Sequence, residues 1–142
     1  MKKIAIASDH AGLTLKNHLK QHLKDLGYEV VDRGCQTQES VDYPDFAKLV
    51  ANDVQKGSAW RGVLICGTGI GMALTANRFS KVRAASITDI YSAKMARAHN
   101  DLNLLCLGGR VVGIGLAEEI LKIFLETEFE GGRHQKRLEK IE

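Results

Sequence analysis

The chain has little of what marks a disordered or low-complexity protein. Its 142 residues include one proline and 6% aromatic residues, and neither an internal repeat nor a low-complexity tract interrupts them. Hydrophobic residues make up 44% and charged residues 26%, which are ordinary fractions for a globular protein and do not indicate disorder. A chain of this length has room for one good core. We therefore expect a single domain over residues 1–142.

Cysteine pairs, a strong net charge and a long apolar run are also missing. The three cysteines, Cys35, Cys66 and Cys106, are an odd number without a CxxC spacing, so they indicate neither a disulfide framework nor a zinc site. They fit a reducing cytoplasm. The net charge of +3 is too small to indicate a nucleic-acid partner. Since the apolar run after Met1 stops at Ser8, we predict no targeting or membrane-spanning segment.

What the chain does contain is a regular alternation of strand-like and helix-like segments. Strands separated by helices predict a parallel sheet covered on both faces, here a three-layer α/β/α, Rossmann-like domain with five strands. The functional site of such a sheet lies at the carboxyl ends of its strands. The strand patterns cover residues 3–8, 28–32, 62–66, 82–87 and 103–107, and the helical patterns cover 15–26, a stretch opened by Pro44, 72–79, 89–98 and 113–127.

The most informative segment is the apolar strand 62–66 with the glycine-rich loop behind it. Glycines permit a tight turn, and the N–H groups of the loop and of the helix start stabilise negative charge. A thiolate beside such donors can act as a base or nucleophile, and the same amides can hold a substrate oxyanion. Cys66 is therefore the candidate reactive residue, whereas we expect Cys106 in the core and Cys35 in a polar loop. The loop itself consists of Gly67, Thr68, Gly69, Ile70 and Gly71.

Known cysteine and glycine motifs fit this loop poorly. A dinucleotide fingerprint would need a glycine at Met72, and no GK[ST] follows to make a P-loop, so nucleotide binding has weak support. A cysteine phosphatase would need an arginine that closes the loop, but Met72, Ala73 and Leu74 stand there. Hydrolysis by a set composed of Cys66, His99 and Asn100 stays open.

Several polar residues outside the loop allow two interpretations each. Asp9 and His10 follow the first strand, where they could hold a sugar, although Asp9 could equally cap the next helix. His99 could serve as an acid or base, or could simply be solvated. In a helical tail behind a glycine pair, Arg133 and Arg137 would share one face and could grip a phosphate. Spacing alone favours a solvated charged face for this pair.

Seven short motifs follow one another along nearly the whole chain. They begin at Ser8 (SDHAG), Asp42 (DYP), Cys66 (CGTGIG), Tyr91 (YSA), Arg97 (RAHNDLN), Gly109 (GRVVG) and Glu130 (EGGRH). The set resembles the type B ribose-5-phosphate isomerases, a family that includes allose-6-phosphate isomerases and the subunits of galactose-6-phosphate isomerase. The resemblance implies interconversion of ribose 5-phosphate and ribulose 5-phosphate, in the pentose phosphate pathway and without a metal or organic cofactor.

The resemblance also implies roles for individual residues. Cys66 would move a proton between C2 and C1 through a cis-enediolate, Thr68 would relay a proton between the two oxygens, and His99 would transfer the proton of ring opening. The phosphate would be bound by Asn100, Arg110, Arg133 and Arg137, and the sugar by Asp9, His10 and Tyr43 together with the loop residues Gly67, Thr68, Gly69, Ile70 and Gly71.

The family builds its site at a dimer interface, so the resemblance implies a homodimer, or a dimer of dimers, with a tail over residues 129–142 that packs on the partner subunit. Because the chain carries a complete residue set with Tyr43, ribose 5-phosphate is favoured over galactose 6-phosphate, and allose 6-phosphate stays open. Two other classes also stay open. A flavodoxin-like sugar-phosphate binding domain would need the loop but not Cys66, and a cysteine hydrolase would form a covalent intermediate.

Overall fold

The computed structural model describes all 142 residues as one five-stranded parallel sheet flanked by six α-helices. This confirms the predicted three-layer α/β architecture. The strands are β1 (Lys3–Ser8), β2 (Glu29–Asp32), β3 (Arg61–Cys66), β4 (Ala84–Ser86) and β5 (Leu104–Gly108). The helices are α1 (Leu13–Asp25), α2 (Tyr43–Gln55), α3 (Ile70–Ala76), α4 (Ile90–Ala98), α5 (Ile114–Glu126) and α6 (Arg133–Ile141), and a short 3-10 turn (His10–Gly12) precedes α1.

The strand order opens a crevice at the carboxyl ends of β1 and β3. In the order β2-β1-β3-β5-β4, the two neighbours of β1 are β2 and β3. The chain first passes from β1 to β2, and it then returns across β1 to form β3 on the opposite flank. The helices that follow the two strands pack on opposite faces, since Leu19 of α1 and Met72 of α3 belong to different core clusters. A reversal of this kind is where open α/β sheets place their ligands.

Two apolar cores lie on the two faces of the sheet. Along β1, Ile4 and Ile6 contact the core under α1 and α5, whereas Ala5 and Ala7 contact the core under α2 and α3. This alternation is the period of two that a strand imposes on its side chains. The second core is built largely from alanine, valine and cysteine, and it includes Cys66 and Cys106. The reactive-residue candidate is therefore fixed by packing on a rigid strand.

The predicted bounds differ most from the observed ones in β4 and α3. Strand β4 covers Ala84–Ser86 rather than 82–87, and α3 covers Ile70–Ala76 rather than 72–79. Asn77 is the C-cap of α3 and contacts the first residue of β4. Its side-chain amide donates to the Ala84 carbonyl at 2.8 Å and its carbonyl oxygen accepts from the Ala84 N–H at 2.9 Å. The side chain thus satisfies the backbone of Ala84 on the edge strand.

The tail forms a separate helix, α6, at the end of the sheet where the strands begin. Gly131 and Gly132 both have positive φ angles, of 69° and 57°, and they turn the chain into α6. Helix α6 buries His134 and Leu138 against the rest of its own chain. Its far end reaches β4, because Arg83 donates to Glu142 at 3.0 Å. None of the six helices has the length and apolar character that crossing a bilayer requires.

Candidate active site

Cys66 lies at the end of β3 with an amide donor aimed at its sulfur. The Gly69 N–H donates to Cys66 Sγ at 3.1 Å, and the side chain is only 6% exposed. Gly69 can point its N–H backwards because its φ angle is +82°, a conformation that favours glycine. The loop thus aims a backbone hydrogen-bond donor at the Cys66 sulfur.

The other two cysteines lack this arrangement. Cys106 is fully buried in β5, and burial raises the pKa of its thiol, with the neighbouring Cys66 as a second cause. Cys35 is buried rather than exposed in its loop, and its Sγ donates to the Thr37 carbonyl at 3.5 Å. Both are therefore packed thiols, and Cys66 alone accepts a backbone N–H.

The glycine loop is held by β5 and β4 as well as by its own turn. Ser86 donates to the Thr68 carbonyl at 2.8 Å, and the Arg110 N–H donates to the Gly67 carbonyl at 3.1 Å. The loop also lies directly against Gly108, since a Cβ added there would meet Thr68 Cα at 2.8 Å and Gly67 O at 2.9 Å. Gly108 precedes the sequence motif at Gly109 and was not predicted as a site residue. The need for a bare backbone there appears only when β5 and the loop are seen together.

Gly71 provides the space for Tyr43. A Cβ at Gly71 would come within 2.4 Å of the Tyr43 ring, so the two residues predicted as sugar-binding contact each other directly. Tyr43 begins α2 and is 37% exposed. The guanidinium of Arg110 lies beside Gly67, with its Nη1 3.7 Å from the position of a Gly67 Cβ. Tyr43 and Arg110 thus lie near the two ends of the loop.

Asp9 and His10 lie at the adjacent end of β1. Asp9 Oδ1 accepts from the Ala11 and Gly12 N–H groups at 3.0 and 3.2 Å, so the expected alternative of a helix cap is confirmed for this oxygen. Gly12 itself is pressed against the backbone of β3, where a Cβ would meet Ile65 O at 2.6 Å. His10 Nδ1 accepts from the Val41 N–H at 3.2 Å. These contacts bring Asp9 and His10 beside the Cys66 loop.

The remaining predicted residues form a second cluster around the end of α4 and the tail. The rings of His99 and His134 stack with their centroids 4.1 Å apart. Glu130 faces both, with its Oε1 3.8 Å from His99 Nε2 and 3.6 Å from His134 Nε2. Arg133 and Arg137 lie on exposed positions of α6, and Asn100 follows His99. His134 stands within the motif that begins at Glu130, although no local pattern assigns it a role.

This second cluster is suited to an anion. Burial lowers the pKa of His134, and the nearby charges of His99, Arg133 and Arg137 lower it further, against an opposing effect of Glu130. Several cationic groups thus lie close enough to His134 to disfavour its charged form. A phosphate bound among them would relieve that repulsion.

His99, Glu130 and His134 are also the residues that could hold a metal ion. One ligand atom from each lies within 4.8 Å of the others. The stacked rings, however, are within 11° of parallel, so their nitrogen lone pairs do not converge on one point. The arginines of α6 add positive charge beside the group. The arrangement fits an anion better than a divalent cation.

The two clusters lie at opposite ends of the strands. The Cys66 cluster is at the carboxyl ends, here called the carboxyl edge, and the His99 cluster is at the amino ends, here called the amino edge. Cys66 pairs with Gly108 at the carboxyl end of β5, whereas Leu104 at its amino end pairs with Gly62. Four residue steps along a strand span about 13 Å, and His99 lies beyond Leu104 on that far side. Helix α4 starts after β4 at the carboxyl edge and carries His99 back to the amino edge. A hydrolytic set of Cys66, His99 and Asn100 cannot form within one chain.

A large cavity of about 760 Å³ lies beside the second cluster rather than beside Cys66. It lies between β4, the segment 77–83 and α6, and Asn100 is part of its wall. Its apolar wall residues include Phe79, Val82, Leu102 and Leu138. This open apolar surface is continuous with the predicted phosphate-binding residues.

Comparison with known proteins gives one family. The model of the Ribose/Galactose Isomerase family matches residues 4–141. Ribose-5-phosphate isomerase B of Escherichia coli is 47% identical over 141 residues, which cover 99% of this chain and 95% of that protein. The structure of ribose-5-phosphate isomerase B from Clostridium thermocellum has a TM-score of 0.97 at 51% identity and covers 98% of this chain and 94% of that one. The enzyme from Mycoplasma genitalium, solved with bound ribulose 5-phosphate, has a TM-score of 0.95 at 47% identity and covers 98% and 93%.

Proposed function

Since this chain belongs to the ribose/galactose isomerase family, we propose that it is an aldose-ketose isomerase that interconverts ribose 5-phosphate and ribulose 5-phosphate. The observation that carries the proposal is the Cys66 sulfur with the Gly69 N–H 3.1 Å away, at the crevice where this fold places its ligand. The relatives named above carry this activity in their names, and one of them is solved with the ketose product.

In this proposal Cys66 is the base of the isomerisation. The thiolate takes the proton from C2 of the open-chain aldose. The electron pair of that C–H bond forms the C1=C2 double bond, and the π electrons of the C1 carbonyl move onto its oxygen. The amides of the loop stabilise the resulting cis-enediolate. Thr68 relays a proton between the oxygens on C1 and C2, and the Cys66 thiol returns its proton to C1. One proton moves between adjacent carbons, so the reaction needs neither an oxidant nor a covalent intermediate.

The second cluster, around the end of α4 and the tail, supplies ring opening and most of the phosphate binding. His99 transfers the proton that opens the furanose ring, and Arg133 and Arg137 hold the phosphate with Asn100. Arg110 contributes from beside Gly67, on the Cys66 side. Asp9, His10 and Tyr43 hold the sugar between them.

Two copies of the chain are needed to bring these groups together. Within one chain Cys66 and His99 stand at opposite edges of the sheet, so we propose a homodimer in which His99 and the tail arginines of one subunit serve the Cys66 of the other. Exposed apolar side chains support such an interface: Ile70 and Leu74 of α3 are 59% and 65% exposed next to the Cys66 loop. The open apolar cavity beside Asn100 offers a surface for them.

Three buried free cysteines are consistent with a reducing compartment, so we place the reaction in the cytoplasm, within the pentose phosphate pathway. The same chemistry would act on allose 6-phosphate, a substrate longer by one carbon. Room for that carbon depends on how closely the second subunit approaches Tyr43. The pentose is our primary assignment.

Turnover of ribose 5-phosphate by the purified, metal-free protein tests this function, with allose 6-phosphate and the Cys66→Ala variant run in parallel. We expect rapid formation of ribulose 5-phosphate by the wild type and none above background by Cys66→Ala. Binding of ribose 5-phosphate without turnover would instead favour a sugar-phosphate binding domain. Exclusive turnover of the six-carbon substrate would replace our substrate assignment.

A further inference from the structure

The ring of His10 is held by a contact that fixes the position of its proton. Its Nδ1 lies 3.2 Å from the backbone nitrogen of Val41. A backbone N–H can only donate, so Nδ1 must be the unprotonated, accepting nitrogen. The reverse ring orientation would set a ring C–H against this N–H and lose the bond. The neutral ring therefore carries its hydrogen on Nε2.

The loop that leads to Val41 is attached to β1 at its first residues. Residues 33–42 leave β2 and continue the pairing with β1: Ser8 donates to the Gly34 carbonyl and Cys35 to the Ser8 carbonyl, both at 2.8 Å. The loop thus starts beside the strand whose end carries His10. It finishes at Asp42, directly before Tyr43 of α2.

A buried lysine ties this loop to α1. The side chain of Lys16 is fully buried, and its Nζ donates to the Cys35 carbonyl at 2.7 Å and to the two Asp32 carboxylate oxygens at 2.8 and 2.9 Å. All three hydrogens of the ammonium group therefore have partners. Moving Cys35 would leave this buried ammonium group one partner short, which is costly. The first part of the loop is consequently fixed beside β1.

We infer that the Val41 amide selects the Nε2–H form of His10, so that His10 acts as a neutral hydrogen-bond donor to an oxygen of the sugar phosphate and not as a base. The inference rests on the proposed function for the identity of the ligand. Under this inference, hydrogen-bond donation and proton transfer are carried out by different residues of the site. His10 donates through Nε2, and proton transfers fall to Cys66 and His99.

Nitrogen NMR on the ligand-free protein labelled with ¹⁵N-histidine tests the tautomer directly. The two ring nitrogens of a neutral histidine differ strongly in chemical shift, and His10 is assigned by the loss of its signals in His10→Gln. We expect the unprotonated signal at Nδ1 and the protonated one at Nε2 at neutral pH. A proton on Nδ1, or both nitrogens protonated, would overturn the inference. Because no substrate is present, this result does not depend on the isomerase activity.

The pair Val41→Pro and Val41→Ala tests the role of the amide. Proline lacks the N–H, whereas alanine keeps it and controls for loss of the valine side chain. We expect the Nδ1–H form to appear in Val41→Pro and kcat/KM for ribose 5-phosphate to fall about three- to tenfold, as befits one hydrogen bond. Val41→Ala should keep the wild-type tautomer. If His10 had the same tautomer in both variants, the result would contradict selection of the tautomer by the Val41 amide.

The donor role is tested by His10→Gln against His10→Asn. A glutamine amide reaches the position of Nε2, whereas an asparagine amide reaches that of Nδ1, so glutamine should retain more kcat/KM. Better retention by asparagine would overturn the donor role. If the wild type turned over no sugar phosphate while its NMR spectrum showed Nε2–H, the proposed function would fail and the tautomer would stand.

Discussion

Cys66 and Cys106 show how the position of a residue in the fold decides its chemistry. Both are free thiols in the core between the sheet and α2, on neighbouring strands. Cys106 lies inside β5, where burial raises the pKa of its thiol and keeps it protonated. Cys66 is the last residue of β3, where the chain turns and Gly69 can donate to its sulfur. Because both thiols are buried, the feature that distinguishes Cys66 from Cys106 is the Gly69 N–H that donates to its sulfur.

Replacing each cysteine by alanine separates these roles. We expect Cys66→Ala to lower kcat by about 10²- to 10⁴-fold, the usual contribution of a general base. Cys106→Ala should keep the wild-type kcat and lose about 1 kcal/mol of unfolding free energy from its smaller core side chain. Steady-state kinetics and urea unfolding measure both. Similar kcat values for the two variants would remove Cys66 from the reaction.

The tail arginines make a second prediction at the scale of a residue. Arg137→Ala should raise KM for ribose 5-phosphate about ten- to a hundredfold with little change in kcat, because it removes a charged hydrogen bond to a group that does not react. Lys136→Ala, which removes an exposed cation from the same helix, is the matched control and should leave KM near the wild-type value. A collapse of kcat at constant KM would contradict the phosphate assignment.

Between elements, small residues set how close two backbones come. β5 and the Cys66 loop touch at Gly108, and α3 and α2 touch where Gly71 meets the ring of Tyr43. A side chain at either glycine would need the loop or the ring to move. The loop geometry therefore depends on Gly108 as well as on the residues predicted to bind the substrate.

Gly108→Ala tests this dependence, with Gly115→Ala in α5 as its control. The added methyl at 108 would meet Gly67 O at 2.9 Å, so we expect a displaced loop and a loss of kcat/KM of about 10- to 100-fold. A methyl at 115 meets nothing within 4 Å in a helix, so it should leave activity unchanged and add about 0.5 to 1 kcal/mol of stability. Wild-type activity in Gly108→Ala would contradict the prediction that the loop depends on a bare backbone at residue 108.

The predictable part of the fold and site is the part that depends on local pattern. Strands, helices and the Cys66 loop follow from hydrophobic periodicity and glycine spacing, as does the neighbourhood of Asp9 and Cys66 at strand ends. The edge position of β4 and the contact between Asn77 and Ala84 depend on strand order, which no local pattern encodes. For the same reason the contact of Gly108 with the loop was not predicted. The hydrolytic set of Cys66, His99 and Asn100 is wrong for a related reason, because a residue between a helix and the next parallel strand lies at the amino ends of the strands, away from Cys66.

At the scale of the whole molecule, one buried ion pair contributes to acid stability. Burial raises the pKa of Asp32, but hydrogen bonds from Lys16, Gly34, Lys20 and Gln36 outweigh it and lower the pKa from its ordinary 3.8 to about 2. A carboxyl with a lowered folded-state pKa stabilises the fold above its unfolded pKa and loses that contribution as the pH falls toward its folded pKa.

Acid unfolding of Asp32→Asn should therefore differ from that of the wild type between about pH 4 and pH 2. The wild type should lose about 1 to 2 kcal/mol of unfolding free energy across this window from Asp32 alone. The variant should be less stable at pH 7 and should lack this part of the pH dependence. Urea unfolding at several pH values measures it, and parallel pH profiles of the two proteins would refute the assignment.

The molecule as a whole carries two half-sites that one chain keeps apart. Cys66, Tyr43 and Arg110 form one half at the carboxyl edge of the sheet, and His99 with the tail arginines forms the other at the amino edge. In the proposed homodimer, each active site takes one half from each chain. This arrangement makes the isomerase account testable through mixed dimers.

The most direct test combines Cys66→Ala and His99→Asn chains that carry different tags. Each variant alone should be nearly inactive toward ribose 5-phosphate. A doubly purified mixed dimer should contain one site with both wild-type halves and one with neither, and should regain about half of the wild-type activity per dimer. A mixed dimer that forms but stays inactive would contradict the shared site with Cys66 as its base.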